Sequence, residues 1–177
     1  MKTIAPCLVL VLLFVSAAAQ KPQTPNTGPT GWVLRFDGID AVRVGMTINQ
    51  VNAALGENFS TPTDKDEQAC FYVEPKGHPD TSIMMLKGRV ARVDVFAPKA
   101  GAPTTVTVVG IHIGDSEARV KKLYGPKVTV APHHYTDGHY LTIRSGKYGL
   151  RFETDENKVT SFYAGTLAAI EFVEGCL

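Results

Sequence analysis

Two short windows of the chain carry apolar residues at helical spacing: Ile48, Val51 and Leu55 in the first, Val120, Leu123 and Tyr124 in the second. Each is bounded by residues that start and stop helices. Thr47 and Ser116 are N-cap residues, whose side-chain oxygens accept from the free N–H groups of the first turn. Gln50, three positions after Thr47, completes a capping box. Arg119 stands at the matching place in the second window, where Glu117 instead faces the positive end of the helix dipole. Gly56 and Gly125 occupy the place of a left-handed residue after the helix, and Pro126 blocks continuation. Helices of about two turns are not stable alone, so each requires a sheet to lie on.

Period-two and β-branched runs supply that sheet. Cys70 to Val73 reads as a strand ended by Pro75, and Ser82–Leu86 and Val90–Phe96 flank the hairpin signal Lys87-Gly88-Arg89. Val106 to Ile113 reads as a strand, Thr129 to Gly138 as a polar connection, and Tyr140 to Arg144 as a further strand. Gly149–Glu153 and Lys158–Tyr163 flank the turn Asp155-Glu156-Asn157. The two halves echo each other at a constant offset of 69 positions: Gly45 with Gly114, Thr47 with Ser116, Val51 with Val120, Gly56 with Gly125, Gly88 with Asn157, Val90 with Val159 and Val93 with Phe162. Gly and Asn tolerate a positive φ, which gives the 88/157 match a mechanism. Phe71 pairs with Tyr140 in this scheme, but the inward phase of that strand slips by one between the halves. The expected fold class is α+β: two tandem repeats, each a helix plus a three-stranded antiparallel sheet, with the helices on one face of the sheet. The expected boundaries are 1–19, 20–31, 32–97 for repeat 1, 98–105 for a linker, and 106–177 for repeat 2 with a C-terminal tail.

Residues 1–19 read as a signal peptide. Lys2, an apolar run from Ile4 to Phe14 and a small-residue end at Ala17-Ala18-Ala19 have the required order, and the run is too short to span a bilayer. Residues 20–31 hold three prolines and no core former, and read as a disordered leader. The mature protein is therefore expected in the periplasm or outside the cell, with no transmembrane segment. The chain carries 18 Lys+Arg against 17 Asp+Glu, and loss of Lys2 brings the two to balance. No basic block with interleaved aromatics occurs, so nucleic acid is not an expected partner.

The turn Gly45-Met46-Thr47, two residues, Gln50-Val51, then Leu55-Gly56, followed by the hairpin around Gly88-Arg89-Val90, resembles the SmpA/OmlA domain of outer-membrane-assembly lipoproteins. The tandem arrangement is similar to the repeat architecture of the β-lactamase inhibitor protein. The resemblance spans Val42 to Phe96 and Val109 to Ala164. It implies an exported, non-enzymatic protein-binding module, inhibitor-like or envelope-assembly-like. Two departures stand out. The chain has no lipid-attachment cysteine, and it cannot form a disulfide inside each repeat as the inhibitor-like relatives do.

Beyond the leader only Cys70 and Cys176 remain. In an exported protein two such thiols pair, which here would close a loop of about a hundred residues and tie the first repeat to the tail. The alternative is two unpaired thiols. His133, His134, Asp137 and His139 form the densest cluster of ligating side chains, and zinc or copper is the chemistry such residues would take. Their spacing matches neither a helix face nor a strand, and Asp137-Gly138 is a common turn pair, so a solvated loop is the competing reading. No motif of nucleophilic, metal-hydrolytic or phosphate-binding chemistry is present, and no cofactor is expected. The remaining candidate is a surface. Alternation turns Val93, Val95, Phe152 and Phe162 toward the helices and sets Met84, Arg92, Asp94, Tyr140, Arg144, Arg151, Glu153 and Tyr163 on the opposite face, with Ser161 among them. Tyr, Arg and Met mixed with carboxylates are the residue types of protein contacts. The expected function is a monomeric module that binds a protein partner through this open face; the alternative is a small metal-binding or hydrolytic protein built on His133–His139.

Overall fold

The computed structural model describes residues 31–98 and 104–176. The segment expected as a signal peptide and nearly all of the expected leader lie outside the described residues, as does most of the expected linker. Three short strands open the described chain: β1 (Val33–Arg35), β2 (Gly38–Ile39) and β3 (Val42–Arg43). Helix α1 (Ile48–Leu55) follows, then β4 (Cys70–Val73), β5 (Thr81–Leu86), β6 (Arg89–Val95) and β7 (Val106–Thr107). Helix α2 (Glu117–Tyr124) precedes β8 (Val128–Pro132), β9 (His139–Ser145), β10 (Tyr148–Asp155) and β11 (Lys158–Thr166). A 3₁₀ turn at Ala169–Glu171 lies in the C-terminal segment.

Both helices begin at their predicted caps and α1 ends at Gly56, but Gly125 pairs its positive φ of 62° with a ψ of -143°, outside the left-handed helical region, and the chain continues through Gly125–Lys127 as a 3₁₀ turn. Thr47 accepts from the Gln50 N–H, and the Gln50 side chain accepts from the Thr47 N–H at 2.9 Å, a complete capping box. Ser116 accepts from the Arg119 N–H at 3.2 Å. Gly56 is left-handed, with φ 67°. The β5–β6 and β10–β11 hairpins have positive φ at their two central residues, Lys87-Gly88 and Glu156-Asn157. That is the turn whose twist matches flanking antiparallel strands.

The chain does not build two helix-plus-three-strand repeats. It is mostly β, with two helices among the described residues, a seven-stranded antiparallel sheet in the order β4-β5-β6-β11-β10-β9-β8, and a separate mixed sheet in the order β3-β2-β1-β7. The physical reason is pairing at the middle. β6 and β11 are joined through the register Val95 with Phe162 and Val93 with Ala164, so no sheet edge is left between the halves. Three further differences follow from the same rule that a strand needs a partner. Val128–Pro132, expected as a connection, pairs with β9 and extends the sheet. Of the expected strand Val106 to Ile113, only Val106–Thr107 is extended, because its partner is the three-residue β1. The stretch Leu167–Val173, whose apolar run reads in the sequence as a last strand, turns as 3₁₀ at Ala169–Glu171. The 69-position echo survives as a pair of contacts: the Gly45 N–H donates to the Val90 carbonyl and the Gly114 N–H to the Val159 carbonyl, each at 2.8 Å.

The main core lies between one face of the large sheet and a layer made of α1, α2 and the small sheet. Ile83, Val93, Val95, Leu141, Phe152 and Phe162 meet Val51 of α1, Val120 of α2, and Leu34, Ile39 and Val42 of the small sheet. Trp32 stacks on His78 with ring centroids 3.7 Å apart, tying the start of β1 to the loop before β5. The opposite sheet face carries a second, smaller cluster. Met84 and Ala91 pack against Ala169, with Tyr72, Leu86, Cys70 and Cys176 around them. The segment after β11 thus runs across this face as a strap. Gly149 and Gly165 pair directly beneath it, and any side chain at Gly149 would collide with Ile170. Cys70 and Cys176 form a disulfide with Cα atoms 5.3 Å apart, which fastens the strap's end to the edge strand β4.

Cys176→Ser should lower stability by about 2–5 kcal/mol, since the bridge closes a loop of 106 residues in the unfolded chain. Urea unfolding of the oxidised wild type and the variant measures it, and reductant should bring the wild type to the variant's midpoint.

Candidate functional site

Alternation along β5, β6, β9, β10 and β11 does bring Met84, Arg92, Asp94, Tyr140, Arg144, Arg151, Glu153 and Tyr163 to one sheet face, away from the main core. That face is not open. The strap covers its centre, and Met84, Arg92, Asp94, Tyr140, Arg151 and Tyr163 are all buried. Arg144 is exposed and Glu153 half-buried. The strap leaves a cleft on each side of itself, one of about 360 Å³ over β4, β5, β6 and β11, and one of about 740 Å³ over β8, β9 and β10. Val173 borders both.

Arg92 organises the first cleft. Its Nε and Nη2 donate to the two oxygens of Asp94 at 3.1 and 2.9 Å. Its Nη1 donates to the carbonyls of Ala169 at 2.9 Å and Phe172 at 2.6 Å, and its Nη2 also donates to the Tyr72 hydroxyl at 2.9 Å. The guanidinium lies over the Tyr163 ring, 4.4 Å from its centroid. All five N–H donors of a guanidinium are therefore used inside the protein. Beside this pair, Glu153 accepts from the Ser161 and Tyr163 hydroxyls, each at 2.9 Å. The His133 Nδ1 accepts from the N–H groups of Tyr135 and Thr136, which leaves its Nε2–H facing the Glu153 carboxylate at 3.7 Å.

The electrostatics follow from burial. Desolvation raises Asp94 to about 6 even though Arg92 pulls the other way. Desolvation, reinforced by the neighbouring Glu153 carboxylate, pushes the Tyr163 hydroxyl far up, so it remains a donor. With Arg92 neutralised by Asp94, the unbalanced charge on the cleft is the carboxylates Glu74, Glu153 and Glu174, set among Tyr72, Phe96 and Tyr163. The second cleft has the opposite character. Arg151 donates from Nε to Thr142 at 2.9 Å and from Nη2 to Glu171 at 2.6 Å, while Arg144 reaches the same carboxylate at 3.2 Å.

The residues of the candidate metal cluster, His133, His134, Asp137 and His139, face apart. His133 points to Glu153, the His134 Nδ1 meets the Tyr140 hydroxyl at 3.2 Å, and Asp137 is exposed. The His139 Nδ1 donates to Glu117 at 2.7 Å, on the first turn of α2. Among the described residues, no three His, Cys, Asp or Glu side chains converge as metal ligands. Glu117 instead collects Lys121 at 2.8 Å and Thr154 at 2.7 Å as well. Burial would raise its pKa, but the hydrogen bonds from Lys121, Thr154 and His139 outweigh it and hold the carboxyl at about 2.

Sequence reasoning missed the strap. Glu171 and Glu174 sit in a stretch without alternation, and the signal that could have placed them was the pairing of Cys176 with Cys70, which brings the tail back over β4. It also missed the Glu117–His139 contact, for which nothing in the spacing of 22 residues gives a cue. Among the described residues, no helix is long and apolar enough to cross a membrane.

No family model matches the chain, and no curated protein matches it. Among solved structures, the chain is similar to a DUF4309 family protein, YjgB, from Bacillus subtilis. The identity is 15%, the match covers 68% of this chain and 78% of that one, and the TM-score is 0.46.

Glu117 and Asp94 give acid stability two opposed legs. Glu117 ionises lower in the folded state than its ordinary 4.5, so its contribution is complete above about 4.5 and lost as pH falls toward 2. Asp94 ionises higher than its ordinary 3.8, so proton uptake between about 6 and 3.8 favours the folded state. Glu117→Gln should therefore flatten the loss below pH 4.5, by on the order of 2 kcal/mol. Asp94→Asn should remove the gain between pH 6 and 4. Denaturant midpoints across pH 2–7 measure both.

Proposed function

We propose that the protein is an exported, non-enzymatic binding module that captures a basic segment of another protein, seating a lysine or arginine side chain in the cleft beside Arg92 and Asp94. The observation that carries this reading is the complete internal use of Arg92. Because its five donors are spent on Asp94, Tyr72 and two strap carbonyls, the cleft offers an incoming ligand acceptors rather than donors. Glu74, Glu153 and Glu174 supply negative charge, and Tyr72 and Phe96 supply aromatic walls against which a cation is favourable. A volume of about 360 Å³ suits one long side chain with its flanking backbone.

Export is supported by the basic, apolar and small-residue order of residues 1–19 and by the Cys70–Cys176 disulfide, a bond of oxidising compartments. The likeness of the Gly45–Gly56 turn to envelope-assembly domains supports the same compartment and a protein ligand.

Binding of a fluorescent lysine-containing peptide to the whole mature protein tests the reading. A peptide of alternating Lys and Leu should bind saturably and weaken with added salt, and its glutamate counterpart should not bind. Glu74→Gln combined with Glu174→Gln, both at exposed positions, should weaken binding several-fold while leaving the unfolding midpoint within the range of surface changes. Equal affinity for the lysine and glutamate peptides overturns the proposal.

A further inference from the structure

The second cleft presents a buried cation with three of its five N–H donors unspent among the described residues. Arg151 has only 8% of its side chain exposed. Its Nε and Nη2 are bonded to Thr142 and Glu171, and its guanidinium lies 5.2 Å from the Tyr140 ring centroid. Its Nη1 has no hydrogen-bond partner among the described residues and is not sealed from solvent, and the residue lines the cleft of about 740 Å³. Burying a guanidinium while leaving a donor unbonded is costly unless something outside the chain completes it. Arg144 stands beside it on β9 with 59% of its side chain exposed, and it too keeps donors unbonded after its single contact with Glu171. Two arginines facing one glutamate leave a residual positive charge on this side of the strap.

The molecule also shows what these arginines accept. The Glu171 carboxylate lies between them, one oxygen 3.2 Å from the Arg144 Nη2 and the other 2.6 Å from the Arg151 Nη2. Glu171 is itself half exposed, at 49% of its side chain, so a second carboxylate can approach the same pair from the cleft. The planar fork of a guanidinium matches a carboxylate in two-point contact.

We infer that the cleft over β8, β9 and β10 is a carboxylate-binding site, in which the Arg151 Nη1 and the free donors of Arg144 hold an organic acid beside Glu171. The Thr129 side chain and the Tyr140 ring border the place where the rest of that acid would lie. The site is independent of the acceptor-rich cleft across the strap, and nothing in its donor set depends on Glu74, Glu153 or Glu174.

Titration of the ¹⁵N-labelled mature protein with sodium butyrate, read by amide and arginine side-chain shifts at constant ionic strength, tests the inference. Saturable shifts should centre on Arg144, Arg151 and Thr129. Arg144→Gln, at an exposed position, should weaken binding at least five-fold. Glu171→Gln, which removes the competing charge and keeps its shape, should tighten it several-fold. Inorganic phosphate and choline chloride serve as the comparison probes. Unsaturable or scattered shifts with butyrate in both the wild type and Glu171→Gln overturn the assignment, as does an affinity unchanged by Arg144→Gln. Binding of phosphate without binding of butyrate overturns it too. A Glu74→Gln/Glu174→Gln protein should bind butyrate as the wild type does, which keeps this result separate from that of the lysine peptide.

Discussion

Arg92 is the residue through which sheet, strap and clefts are held in one arrangement. A guanidinium cannot be deprotonated, so burying it obliges the surroundings to supply an anion and an acceptor for each N–H. Asp94, two residues along the same strand, supplies the anion. The strap supplies two carbonyls, from Ala169 and Phe172, and Tyr72 on the edge strand β4, across β5, supplies the last acceptor. The strap's course is therefore written into the hydrogen-bonding demand of a single side chain. The Cys70–Cys176 bond fastens the segment at its far end, and Gly149 leaves room beneath its 3₁₀ turn. Loss of the strap carbonyls would leave a buried charge without partners, and a side chain at Gly149 would clash with Ile170.

From that arrangement comes the division of the face into two clefts of opposite chemistry. Arg92 is silenced by its own contacts, which leaves carboxylates to dominate the β4–β6 side. Arg151 is only partly spent, which leaves cationic character on the β8–β10 side. The two arginines arise from alternation on neighbouring parts of one sheet, and the difference between them is a difference in how many acceptors the strap delivers. Glu171, reaching only toward the second cleft, satisfies a single donor of each arginine there.

Histidines in this protein serve geometry. His78 stacks on Trp32, His133 passes its Nε2 proton toward Glu153, His134 meets Tyr140, and His139 completes the ring of donors around Glu117. Sequence proximity made 133–139 look like one cluster. The hairpin between β8 and β9 sends its members in different directions, because successive side chains on a strand and its turn face opposite sides.

Much of the local structure is legible in the sequence. Thr47, Gln50, Gly56 and Ser116 act within one or two helical turns of themselves, and the turns at Gly88 and Asn157 depend only on which residues tolerate positive φ. Alternation assigned the sheet faces correctly, because side-chain direction along a strand has a fixed period. Which strands pair is a different kind of question. The joining of β6 to β11, the recruitment of Val128–Pro132 as an edge strand, the separation of the small sheet, and the return of residues 166–176 over a face that looked free all depend on contacts between residues distant in the chain. Local propensity carries no information about those contacts, since any of several strands could satisfy a given edge. The tertiary structure chose among them by burying Met84 and Ala91 and by meeting the needs of Arg92.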